Sequence, residues 1–419
     1  MKTELAFFLA RVIGGLAARV GSWVGNGSVI GGRIALMVMP TFIARARRDM
    51  DFPIVFVLGS NGKTTTSKYV TQLAESAGET VLSNVAGSNM RSGIAALAVG
   101  SWKAIRRGAF SLGVFEVDEG YAAMLGRELA PEFALVLNVQ IDQIYRLHEP
   151  ERVRDMFRNA FPYVTQHLVV NGNDGLLVDA SSNVEDGTSV SFFGVDSGIP
   201  VLTLGLAEPR PMELKRLGTA LSVATDGTYT ATQGSESTAL SVPTTGVHFA
   251  LNGVAALEMA RHLIDDRTSL AQHGEHMSHA QPAFGRGETI TSGNAKFEII
   301  LFKNRPSLQL NLNAQKDAAD TVVIAFDEHS RDPSWLFAVD YSAVSRVDVV
   351  SGEKADFFEL ALKYADVEVG ASNTNIVEVV SQLDTRYRDA PPSVHRLFLD
   401  AKQMTAVRGY FGRKMDVKK

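Results

Sequence analysis

The sequence predicts an α/β protein: a central domain with a mainly parallel sheet, followed by a smaller Rossmann-like α/β domain. Three observations predict it. Apolar runs such as Ile54–Leu58 and Leu112–Phe115 stop abruptly at glycine or acidic residues, as strands buried on both faces of a parallel sheet do. Helix-periodic segments alternate with these runs, the rhythm of strands joined by crossovers. After residue 281 the alternation starts again on a smaller scale.

The first of these runs leads into the stretch on which the chain is organised, IVFVLGSNGKTTTSK, residues 54–68. A buried strand, a turn with Gly59 and Gly62, and a helix beginning near Lys63 form a phosphate-binding loop. The glycines let the backbone approach a polyphosphate, the first helical N–H groups point at it, Lys63 neutralises the outer phosphates, and Thr64 or Thr65 can hold Mg²⁺. Gly59, Ser60, Asn61, Gly62, Lys63, Thr64 and Thr65 are therefore the candidate ATP contacts. The usual pattern opens with glycine where Val57 stands here, so the loop is a variant spelling.

The next strand, in LGVFEVDEG at 112–120, ends in Glu116, Asp118 and Glu119. An acidic residue at a strand end beside a phosphate loop is the expected second Mg²⁺ ligand, and Glu116 is the candidate. Between these strands, Ser67–Ala77 reads as a helix, Glu79–Ser83 as a short strand, and the small residues around Asn89 and Met90 as a second loop at the same sheet edge. A further strand, Phe133–Val139, contains Asn138 and leads to Asp142, Gln143 and Arg146.

Composition sets the outer bounds. With 419 residues and 45% hydrophobic content the chain can fill two or three domains. A net charge of −5 and a pI near 6.0 give no electrostatic reason to expect a nucleic-acid partner. The absence of cysteine excludes disulfides, thiolate catalysis and Cys-ligated zinc, and fits a cytoplasmic protein.

Ahead of the loop, Leu5–Val24 is apolar but interrupted by Arg11 and Arg19 and weakened by Gly14, Gly15 and Gly21. Leu9, Val12, Ile13, Leu16, Val20 and Val24 fall at helical spacing. The expectation is a helix packed through that stripe on the body of the protein, with contact to a membrane surface as the alternative. Residues 1–50 thus form an N-terminal helical segment, and 51–280 an ATP-binding domain.

Within that domain, Thr188–Pro243 shifts to Gly, Ser and Thr with short alternations and reads as an excursion of short strands. Gly246–Arg261 returns to a helical pattern, with His248 and Asn252 near its start; His248 reads as a capping or packing residue. Asp265–Gln281 reads as a linker, and His273, His276 and His279 at three-residue intervals do not make a convincing metal site. The C-terminal domain, 281–419, offers strands at Phe297–Phe302, Thr321–Phe326 and Val347–Val350, a helix at Phe357–Ala365, and loops KNRPS from Lys303 and DEHSRDPSW from Asp327.

Taken together, GSNGKTTT, FEVDEG, NVQIDQ, LNGVAA and AFGR resemble the Mur ligase superfamily, and SNMRSGIA, LFKNRPS and RDPSW resemble the MurT-type synthetase subunit of lipid II isoglutaminyl synthase. The resemblance covers roughly residues 5–400. It implies a Mur ligase-like central ATPase domain and an enzyme that uses ATP and Mg²⁺ to amidate the D-glutamate α-carboxylate of lipid II through an acyl phosphate, in peptidoglycan synthesis. Ammonia would come from a GatD-type glutaminase partner. On matching positions, Lys63 and Thr64 would serve phosphate and Mg²⁺, and Glu116 the metal region. Asn252 would lie near the adenine, and Arg286, Lys303 and Asn304 at the domain junction, with Asn89 and Asn138 on the substrate side. Asp332 of RDPSW would complete the partner's Cys–His pair into a triad.

The chain departs from that pattern in places. It cannot form the family's four-cysteine zinc ribbon, so no zinc is expected. The segment IDQIYR lacks an Arg and an Asp of the family's RDQxDR, and His248–Phe249 stands where His–Asn is common. Two other readings stand beside the synthetase: a stand-alone Mur or folylpolyglutamate-type amino acid ligase, and a nucleotide-binding scaffold without catalysis. The expected location is the cytoplasm, at the inner face of the membrane when a lipid-linked substrate is engaged.

Overall fold

The computed structural model describes residues 2–23, 27–84, 88–141, 149–196, 198–244, 246–264, 268–281, 285–315, 318–327 and 333–413. The β-branched and aromatic residues of IVFVL make β1 (Ile54–Leu58), every residue of which is buried. Ile54, Phe56 and Leu58 enter one core, while Val55 and Val57 enter the other. Both faces of the strand are covered, which is why it reads as a continuous apolar run.

Among the described residues β1 lies within a nine-stranded sheet. The other strands are β2 (Val81–Ser83), β3 (Leu112–Glu116), β4 (Phe133–Val136), β5 (His167–Asn171), β6 (Ser189–Val195), β7 (Thr219–Val223), β8 (Tyr229–Gln233) and β9 (Glu236–Leu240). Their order is β2-β3-β1-β4-β5-β6-β7-β8-β9, parallel up to β7 and antiparallel thereafter. Val57 pairs with Glu116 and Leu58 with Val136, so the carboxyl ends of β1, β3 and β4 lie level and their loops share one edge. That edge is where ligands of parallel sheets bind.

The second sheet runs β10 (Arg286–Ser292), β11 (Ala295–Leu301), β15 (Ser393–Leu399), β12 (Thr321–Ala325), β13 (Arg346–Ser351), β14 (Glu368–Asn373). Only β10 is antiparallel to its neighbour among these described strands. The architecture is α/β with mostly parallel sheets, as the sequence predicts.

Several local expectations are corrected. The stretch 188–243 does hold short strands, but they extend the main sheet: β6 and β7 continue its parallel part and β8–β9 close it with a hairpin. The alternation looks weak because β8 and β9 carry small and hydroxylic residues on half-exposed faces. The fourth strand stops at Val136, and residues 137–140 form a loop instead. Within the expected linker, Leu270–Ser278 is a helix, started by a Ser269–Gln272 capping box and buried through Leu270, His273, Gly274 and Met277.

Among the described residues the N-terminal segment holds three helices, α1 (Lys2–Trp23), α2 (Gly27–Val38) and α3 (Phe42–Arg47). The stripe expected to be buried on α1 faces outward. Leu9, Val12, Ile13, Leu16 and Val20 are all exposed, and Phe7 and Ala10 point inward. Close approach decides this orientation. A Cβ on Gly14 would lie 2.7 Å from the Gly31 carbonyl oxygen, and one on Gly31 2.9 Å from the Ala18 Cβ. Small residues allow the backbones of α1 and α2 to touch, which sets the Gly14 face of α1 against α2 and leaves the larger side chains outside.

Candidate active site

Residues 59–62 turn the chain from β1 into α4 (Lys63–Ser76). Gly59 (φ 139°) and Gly62 (φ 87°) adopt conformations that favour glycine. A Cβ at Gly62 would lie 2.7 Å from Asn252 Oδ1, so the missing side chain admits the helix Val247–Leu263 against the loop. No side chain caps α4, which leaves its N-terminus the character of an anion site.

The loop is held from the side by the segment after β4. The Ser60 amide donates to the Asn138 carbonyl (3.0 Å), and the Asn61 amide donates to Asn138 Oδ1 (3.0 Å) while Asn138 Nδ2 returns a bond to the Asn61 carbonyl (3.1 Å). Asn61 Nδ2 donates to Gln140 Oε1 (2.7 Å) and to Asn304 Oδ1 (3.3 Å). Asn304 caps the helix Arg305–Asn313 after β11, so this bond joins the loop to the second sheet.

Lys63 is buried. Its Nζ donates to the Gly59 carbonyl and lies 3.1 Å from Glu119 Oε2. Burial works against its charge, but Glu119, Glu116 and Asp118 outweigh burial and hold the ammonium above the ordinary lysine range. Beside it, Thr64 Oγ1 donates to Glu116 Oε2 (2.8 Å) and Asn89 Nδ2 to Glu116 Oε1 (3.2 Å). Asn84 fixes the Glu116 backbone through bonds of 2.8 and 2.9 Å. A hydroxyl and a carboxylate converging beside a lysine form an oxygen-donor set that suits Mg²⁺.

Between the two sheets a cleft of about 750 Å³, mouth included, is lined by Asn61, Gly62, His248, Phe249 and Asn252 on one side and Lys303 and Ser307 on the other.

The structure thus brings together Gly59, Ser60, Asn61, Gly62, Lys63, Thr64, Glu116, Asn89, Asn138, Asn252, Lys303 and Asn304. Thr65 is buried in the first turn of α4. Arg286 opens β10, but its side chain lies outside the described residues, as do Asp332, Asp142, Gln143 and Arg146.

Three contributors are not singled out by the sequence. Glu119, one of the acidic residues at the strand end but not the candidate ligand, pairs with Lys63. Gln140 supports Asn61 and donates to the Leu204 carbonyl at 3.1 Å. Asp174, buried at the start of the helix Gly175–Ala180, accepts the Val139 amide at 2.6 Å, and burial pushes its pKa up to about 7 against the pull of its backbone donors. Asp before Gly in NGNDG signals a helix cap but says nothing of Val139. His248, read as packing, lines the cleft.

Comparison with known proteins gives this geometry its class. Residues 57–260 match the Mur ligase middle domain, and this similarity supports an ATP-dependent ligase. MurF from Acinetobacter baumannii superposes with a TM-score of 0.67 at 14% identity, covering 92% of this chain and 80% of that one. MurF from Thermotoga maritima, solved with ADP, gives 0.66 at 15%, covering 92% and 85%. More particularly, the chain is similar to the MurT subunit of the glutamine-hydrolysing lipid II isoglutaminyl synthase of Streptococcus pneumoniae. That similarity is 23% identity over 384 residues, covering 81% of this chain and 83% of that protein.

Proposed function

We propose that this chain is the synthetase subunit that converts the α-carboxylate of D-glutamate in lipid II to the carboxamide, using ATP and ammonia from a GatD-type glutaminase. The observation that carries the reading is the similarity to a MurT subunit over 81% of the chain; the cluster of Lys63, Thr64, Glu116 and Asn89 beside the cleft supplies fitting chemistry.

A carboxylate resists attack by ammonia at neutral pH, so one of its oxygens must become a leaving group. In the proposed sequence that oxygen attacks the γ-phosphorus of ATP and ADP departs. Ammonia then adds to the acyl carbon, phosphate leaves with the former carboxylate oxygen, and the nitrogen loses a proton. Lys63 and the α4 N-terminus balance phosphate charge. Thr64 and Glu116 would hold Mg²⁺, which neutralises further phosphate charge when bound. Asn61 and Asn304 link the loop to the second sheet, so closing the cleft would align the reactants and shield the acyl phosphate from water.

The partner reading has support of its own. Five positions after residue 332 in the sequence, Phe337 packs edge to face with Tyr364 at 5.8 Å, and both are exposed together with Phe357 and Leu360. Such an apolar patch is what a second subunit covers. Asp332, on the adjoining stretch, would then orient the partner's histidine.

The test is incubation of the purified chain with ATP, lipid II and ammonium chloride, followed by mass analysis of the lipid. The expected product has a hydroxyl replaced by an amino group. ATP turnover that requires an added amino acid, with that residue joined to the product, would overturn the amidation reading.

A further inference from the structure

The outward face of α1 is a feature that the catalytic reading leaves unused. Leu5, Phe8, Leu9, Val12, Ile13, Leu16 and Val20 are each at least 40% exposed. They recur at helical spacing and form a ridge about 24 Å long. The antiparallel contacts of Gly14 with Ala35 and of Gly31 with Ala18 bring exposed Met37 and Val38 of α2 beside the first half of the ridge. An exposed apolar surface of that kind marks an interaction site.

The surrounding charge selects it. Over residues 1–48 Glu4 is the single acidic residue against seven Lys and Arg, in a chain whose net charge is −5. Glu4 is already engaged by Arg45 at 2.7 Å. Arg19 and Arg33 are exposed on the two helices. Arg11 lies over the Trp102 ring of α5 (Arg91–Ile105) at 4.8 Å, and Lys103, Arg106 and Arg107 are exposed at the end of that helix. An apolar ridge rimmed by cations fits an anionic bilayer surface, into which a helix lies in plane. Spanning is not the mode, because no described helix is long and apolar enough to cross a membrane.

We propose that α1 and α2 form an in-plane docking surface for anionic phospholipid membranes. Backbone packing through small residues turns the greasy face of α1 outward, and the basic rim sets its preference for anionic lipid. α5, on which this hairpin rests, begins two residues after Asn89, the partner of Glu116. The docking surface is therefore mounted on the element that leads into the carboxylate cluster. Membrane binding requires no turnover, so it stands or falls apart from the proposed reaction.

The experiment is co-sedimentation of the full chain with sucrose-loaded vesicles of phosphatidylglycerol and phosphatidylcholine, or of phosphatidylcholine alone, alongside light scattering of the free protein. The wild type should bind the anionic vesicles and be monomeric in solution. The triple variant Leu9→Ser/Ile13→Ser/Leu16→Ser should lose about a hundredfold or more in partition while keeping its circular dichroism and melting temperature, because all three side chains are exposed. Arg19→Gln/Arg33→Gln should weaken binding about tenfold and reduce its salt dependence. The proposal is overturned if the wild type binds neither vesicle, if the triple variant binds as well as wild type, or if light scattering shows a dimer that the triple variant abolishes.

Discussion

Lys63→Met separates the electrostatic role of this lysine in folding from its role with phosphate. In the folded chain Lys63 Nζ lies 3.1 Å from Glu119 Oε2, and Glu119 is 3% exposed. Methionine keeps the length of the side chain but leaves a buried carboxylate beside Glu116 and Asp118 without its cation. Breaking a buried pair from one side costs about 3–5 kcal/mol, whereas removing both charges is often close to neutral. Lys63→Met should therefore lower stability by about 3 kcal/mol, and Lys63→Met/Glu119→Gln should recover most of that loss. Urea denaturation followed by circular dichroism measures both, with the midpoint moving down and then back at an unchanged slope. Both variants should lack ATP turnover, since neither can balance phosphate charge. A single variant as stable as wild type, or a double variant no more stable than the single, would refute the reasoning that Glu119 depends on Lys63.

Other expectations follow from the same contacts. Glu116→Gln should keep the fold, because the amide oxygen can still accept from Thr64 or Asn89, yet lower ATP turnover about a hundredfold or more by removing charge at the metal region; Mg²⁺ titration of the residual rate checks it. Asp332→Asn should abolish glutamine-driven amidation in the presence of the glutaminase and spare the ammonium-driven reaction; loss of both would move Asp332 into the synthetase site. His167 stacks on His262 at 3.6 Å, and burial followed by its His262 neighbour lowers its pKa to about 4. A histidine with a depressed pKa stabilises the fold above its unfolded value near 6.5, and that contribution fades as pH falls toward 4. Discounted for partial solvent access, it amounts to about 1–2 kcal/mol, so His167→Gln should flatten the fall in urea midpoint between those pH values.

How much of this was legible in the sequence depended on whether the signal was local. Strands buried on both faces, such as β1, announce themselves as unbroken apolar runs, and a glycine turn followed by Lys and Thr carries its chemistry in its own spelling. Glu116 was legible because a strand end beside a phosphate loop is where a carboxylate is useful. Glu119 was not, since its worth lies in being 3.1 Å from Lys63, a contact between residues 56 positions apart. Asp174 and Gln140 act through backbone and amide bonds across loops, and no periodicity encodes these. The orientation of α1 was misread because hydrophobic periodicity finds the greasier face, whereas Gly14 and Gly31 set which face packs. The hairpin β8–β9 was hidden by small polar residues, and β15, though fully internal in the second sheet, was overlooked among the charges of residues 384–396.

The claim that most needs a direct measurement is that ATP activates a substrate carboxylate. Lipid II carrying heavy oxygen in the α-carboxylate of its D-glutamate would be amidated with ammonium and ATP, and the released inorganic phosphate analysed by mass. Phosphate that gains one labelled oxygen per amide formed is the predicted result, because the bridging oxygen of an acyl phosphate leaves with phosphorus. Unlabelled phosphate accompanying full amidation would contradict the account.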